Sequence, residues 1–107
     1  HPMRPVRRRA EHRRMKTPKH LYLVESFWPG VTTAGAHAAA RRLCRAATRS
    51  GRAASVRHLR SGLLPDDEVV WSMVEAGSAD AVIAVTMRAR YPVARISETI
   101  VVGGRRR

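Results

Sequence analysis

The sequence predicts an α+β domain with the element order β-α-β-β-α-β, in which a four-stranded antiparallel sheet carries two helices on one face. Three observations predict it. Four short segments are rich in β-formers and bounded by Pro, Gly or Asp; two others carry small and apolar residues at three- and four-residue spacing; and 107 residues suffice for one domain with a modest core.

The first strand is "LYLVESF", residues 21–27, closed by the turn residues Trp28-Pro29-Gly30. Thr32 or Thr33 then caps a helix whose inner stripe is Ala36, Ala39, Ala40, Leu43 and Ala47. Arg41, Arg42, Arg45 and Arg49 lie mostly away from that stripe and give the helix a basic outer face, and Gly51 is placed to close it. "ASVRHLRS" and "EVVWSMVE" read as two strands joined by "GLLPDD", a tight connection. Ser78 caps a second helix running to about Arg90, with Asp80 in its first turn and Ala79, Val82, Ile83 and Met87 on one face. Tyr91-Pro92 ends that helix, and "RISETIVV", residues 95–102, is the last strand.

This order is the split βαβ, ferredoxin-like arrangement. Two helices cover only one face of such a sheet, yet the strands are apolar on both parities: Leu21 and Leu23 against Tyr22 and Val24, Val69 and Trp71 against Val70 and Val74. A half-exposed sheet alternates more cleanly. The sequence therefore predicts a homodimer, sheet against sheet, closing a dimeric α/β barrel.

The formal net charge of +13 is concentrated at the ends. Residues 1–19 hold eight Lys and Arg against one acid, and residues 105–107 are all arginine. Between them, residues 20–104 carry ten arginines against seven acids, a net of +3. We accordingly divide the chain into a basic, disordered arm at 1–19, a domain at 20–104 and a basic tail at 105–107. The chain opens on His1-Pro2-Met3; residues 1–14 are read as a processing remnant in part, with Met15 a candidate initiator. Arginine-rich ends attract phosphates, so non-specific contact with polyanions through them is one expected partnership. The five aromatic residues, Tyr22, Phe27, Trp28, Trp71 and Tyr91, are not arranged as the stacking pair of a sheet-based RNA reader. No apolar stretch approaches the roughly 18 residues of a membrane span, and the apolar part of "MKTPKHLYLVE" is too short for a secretory signal. With a single cysteine, Cys44, read as a packing residue, the expected location is the cytoplasm.

Three stretches carry a family resemblance: "LYLVESFWPGVT", "HLRSGLLPDDEVVWSMVEAGSADAV" and "YPVARISETIVV". They resemble the DUF4242 family, one member of which is known as a nickel-binding protein. The resemblance covers roughly residues 20–102 and rests on Tyr22-Leu23-Val24-Glu25 with Pro29-Gly30, on Pro65-Asp66-Asp67-Glu68, and on Glu75-Ala76-Gly77-Ser78. It implies a ferredoxin-like fold, a dimeric barrel and nickel as the bound metal. The third strand, "VVWSMVEA", departs from the family's aromatic and cysteine-containing strand.

For the metal that the resemblance implies, the residues must supply converging ligands: nickel accepts imidazole and carboxylate together, so His plus Glu on strands is the pattern to seek. Glu25, His58, Glu68 and Glu98 each fall on an expected strand beside apolar neighbours, where an unpaired charge is costly. They form the candidate metal set, with other divalent transition metals open alongside nickel. Arg57, Arg60 and Arg95 are the competing explanation, because ion pairs satisfy the same acids. A register shift of one residue would turn the acids to the other face. Asp66 and Asp67, next to Pro65, read as turn chemistry. CxxC and HExxH motifs are absent. An enzymatic alternative, monooxygenase- or isomerase-like, would hold an apolar small molecule and use His58 with Tyr22 or Glu98 as acid or base.

Overall fold

The computed structural model describes residues 19–104, so the expected basic arm, apart from Lys19, and the basic tail lie outside the described residues. Strand β1 spans His20–Phe27, helix α1 Thr33–Ala54, β2 Arg57–Leu64, β3 Val69–Ala76, helix α2 Ala79–Arg88 and β4 Arg95–Thr99. The sheet order is β2-β3-β1-β4 with every pair antiparallel, so the fold is the expected ferredoxin-like βαββαβ arrangement. No helix among the described residues is long and apolar enough to cross a membrane.

Alternation builds the core. Tyr22, Val24 and Ser26 of β1 stand across from Val74, Ser72 and Val70 of β3, and all six are buried beneath the helices. Leu43, Ala39 and Ala47 come down from α1, Val82 and Val85 from α2. Leu43 and Val74 are wholly inaccessible, and burying one such side chain stabilises a fold by about 1.5–3 kcal/mol. Thr32 caps α1 by accepting the Gly35 N–H at 2.9 Å, and Ser78 caps α2 by accepting that of Ala81 at 3.2 Å.

The structure moves the expected boundaries. Gly51, placed by the sequence at the end of the first helix, does break the path of α1 there with φ 63° and ψ −154°, and a short further helical turn runs on to Ala54. The cap is Ser55, in the left-handed region, whose N–H reaches the Gly51 carbonyl at 3.2 Å. Strand β2 runs on through Leu64, so the hairpin turn is confined to residues 65–68. Helix α2 stops at Arg88, and β4 stops at Thr99, where its pairing with β1 runs out opposite Leu21.

The face away from the helices presents Leu21, Leu23, Phe27, Val69, Trp71 and Met73, all half-buried or exposed, so the apolar second parity of the strands is physically real. Gly62 on β2 lies across from Trp71, and the indole lies flat over it, where a Cβ would sit 2.6 Å from Trp71 Nε1 and nearer still to two ring carbons.

Candidate functional site

The four expected metal ligands are placed apart. Glu25 is on the helix-free face of β1, with Arg95 Nε 3.9 Å from its Oε1. Glu98 is on edge strand β4, where its Oε2 lies 3.0 Å from His20 Nδ1. Glu68 is not on a strand: it closes the 65–68 turn with φ 54°, and its Oε2 accepts the Gly30 N–H at 2.9 Å. Its carbonyl accepts the Trp28 N–H at 2.8 Å, so this acid clips the hairpin to the loop before α1. His58 sits on β2, at the opposite edge from Glu98 and about 14 Å away by three strand spacings. One chain thus does not bring the four together, and among the described residues no three His, Cys, Asp or Glu side chains cluster as a metal site. The arginine alternative holds for Glu25; Arg57 instead pairs with Glu75, at 3.4 Å. Asp66 and Asp67 lie in the turn, as their chemistry suggests.

What the structure does assemble is centred on His58. In a regular strand, residues three apart point to opposite faces. Here β2 carries a bulge between His58 and Arg60, so that His58 faces Val74 while Ser61 faces Ser72, both on the helix side. His58 Nε2 is 2.8 Å from Ser61 Oγ, Ser61 Oγ is 2.6 Å from Ser72 Oγ, and Ser72 Oγ is 2.8 Å from the Tyr91 hydroxyl. Four side chains from β2, β3 and the α2–β4 loop form one hydrogen-bonded file running from a half-buried imidazole to a buried phenol. Each hydroxyl can both donate and accept, so the file has two senses. With Nε2 unprotonated, the Tyr91, Ser72 and Ser61 hydroxyls all donate toward His58; with Nε2 protonated, the sense can reverse.

The outer end opens on a cavity of about 340 Å³ between α1 and β2, lined by Ala36, His37, Ala40, His58, Ser61 and Leu63 among others. Its walls are mostly apolar, with imidazole and hydroxyl groups at one side. Burial pushes His58 below its ordinary value of 6.5, favouring the neutral imidazole. Burial also pushes the Tyr91 phenol up, against the opposing pull of its hydrogen bond to Ser72.

A stability test follows from the sign of the His58 shift. The unfolded chain takes up this proton first as pH falls, so the contribution of His58 is complete above about pH 6.5 and is lost progressively below it. The urea midpoint should therefore fall more steeply between about pH 7 and pH 5 in the unaltered protein than in His58→Gln. Parallel curves would show that His58 carries no such linkage.

Sequence reasoning found His58 but missed Ser61, Ser72 and Tyr91. Ser72 had a local signal, as a lone hydroxyl in the apolar run "VVWSMV" on the inward parity. Ser61 had none, because only the bulge turns it to that face.

No family model matches the chain, and no curated protein matches it. Among solved structures, the crystal structure of SCO4226 from Streptomyces coelicolor A3(2) is similar, with a TM-score of 0.65 and 19% identity over 78% of this chain and 99% of that one. The likeness is one of fold.

Proposed function

We propose that the protein works as a homodimer, a dimeric α/β barrel closed sheet to sheet, and that each copy takes a small, largely apolar molecule with a hydrogen-bonding head in the cavity under α1. The observation that carries this reading is the His58–Ser61–Ser72–Tyr91 file ending at the cavity wall. In the tautomer with Nε2 protonated, that N–H donates to Ser61 and leaves Nδ1 as the nitrogen that takes a proton from the bound head; the imidazolium so formed keeps its Nε2–H bond into the hydroxyl file. A volume of about 340 Å³ is at the small end of ligand pockets, enough for a single-ring molecule.

The dimer reading is supported by the uncovered sheet face, where Leu23, Trp71 and Met73 are ringed by charges of both signs, Glu25 and Glu75 with Arg57, Arg60 and Arg95. A patch that carries both signs around an apolar centre can meet its own copy about a two-fold axis.

Nickel binding of the DUF4242 type is the second reading. Its support is that two imidazoles, His37 and His58, line the same cavity. Glu25, Glu68 and Glu98 are not part of that lining.

The test uses p-cresol and nickel ions as separate probes, followed by NMR on the full chain. Under the first reading p-cresol shifts the resonances of Ala36, Ala40 and His58, and Ala40→Phe, which fills the cavity, abolishes the effect. Under the second, nickel broadens His37 and His58 and p-cresol does nothing. Perturbations scattered over the surface by both probes would overturn both readings.

A further inference from the structure

A second cleft, of about 320 Å³, lies where α1 passes the end of α2, and five arginines line it: Arg42, Arg45, Arg49, Arg88 and Arg90. The first three recur at helical spacing on one face of α1; the others close α2 and the turn after it. Among the described residues, the three ion pairs involve none of these five guanidinium groups. Concentrating like charges in a concave surface without a counter-charge is unfavourable, and the natural relief is a bound anion.

Two details show how the cleft is built. The α2 end has the Schellman pattern, with the Tyr91 N–H to the Thr86 carbonyl at 2.9 Å and the Arg90 N–H to that of Met87 at 3.1 Å. Arg90 occupies its left-handed position, φ 55°, where glycine would be unstrained, and so projects a cation from the turn. Arg42 donates through Nε to the Ala89 carbonyl at 2.9 Å and through Nη2 to the Arg90 carbonyl at 3.2 Å. It thereby covers the partly negative end of α2, which would otherwise repel an anion, while the other four arginines have no side-chain partner among the described residues.

We propose that this cleft binds a compact oligophosphate, with Arg45, Arg49, Arg88 and Arg90 contacting its oxygens and Arg42 holding the floor. Arginines converging from two elements on one concavity suit a short chain of closely spaced phosphates, which guanidinium groups grip in bidentate fashion. This inference is independent of the His58 cavity.

The experiment is calorimetric titration of the full chain with inorganic tripolyphosphate and with ATP, in the unaltered protein, in Arg45→Ala/Arg49→Ala and in the arm variant Arg7→Ala/Arg8→Ala. The two α1 arginines are exposed, so their removal leaves the core untouched. The proposal expects one site per chain, about tenfold or more weaker in the α1 variant and unchanged in the arm variant. Equal affinity for the two ligands assigns the site to the bare phosphate chain; tighter ATP binding assigns it to a nucleotide. Absence of binding, or affinity lost only in the arm variant, overturns the proposal. So does tight binding of a short DNA duplex with no heat from either oligophosphate.

Discussion

Gly62→Val is expected to lower stability by about 2 kcal/mol, or roughly 10 °C in midpoint for a domain of this size, and to shift the protein toward monomer. The reason is local. Gly62 is not in a left-handed conformation, so its backbone accepts any residue; what it cannot accept is a side chain, because the Trp71 indole occupies that space. The first added carbon would lie 2.6 Å from Nε1 and closer to Cε2 and Cζ2, which forces the whole ring off the sheet. A displaced indole loses its flat seat and disturbs the centre of the surface on which the proposed partner copy would rest. Thermal unfolding and sedimentation read the two effects separately. An unchanged midpoint would mean that Trp71 rearranges at no cost; an unchanged mass would remove Trp71 from the dimer contact.

Ser72→Ala is the second. Ser72 is the inner link of the hydroxyl file, and its removal leaves the buried Tyr91 hydroxyl without its bond and interrupts the path to His58. An orphaned buried polar group costs about 1–3 kcal/mol. Adding Tyr91→Phe to Ser72→Ala should then recover part of the loss, because the orphan is removed along with its missing partner. Denaturant titration of the two single variants and the double variant measures this directly. Losses that simply add would show that the two side chains do not act as a unit.

Most of the fold was legible from local chemistry. The strand segments, the caps at Thr32 and Ser78 and the turn at Pro65 are each written within a few residues of where they act, whereas the parity of β1 and β3 that faces the helices is not, because both parities are apolar. The unpredicted features depend on distant partners. Glu68 looked like a strand residue beside Val69 and Val70; what holds it in a left-handed turn includes a hydrogen bond to Gly30, 38 residues away. The reach of β4 depended on where β1 begins, which "RISETIVV" does not encode. For the site, the sequence indicated a polar side chain in an apolar setting at His58. Its companions are selected by one extra residue in an edge strand, and a strict two-residue alternation points Ser61 the wrong way.

The two edges of the sheet are guarded by different means. On β2, the bulge and the exposed Arg57 and Arg60 disrupt any straight template. On β4 the chain leaves the sheet as Ile100, Val101 and Val102, all exposed, beside an edge with no strand on its outer side among the described residues. Such a run is the kind on which copies add strand to strand into an open-ended fibre. In the sequence it is followed at once by Gly103-Gly104 and three arginines. Charges at that place in the sequence are expected to oppose such growth, since stacking this edge in register would stack like charges with it. Replacing the three arginines by serine is then expected to raise the protein's tendency to form fibres, an effect that requires no anionic partner and that light scattering would read.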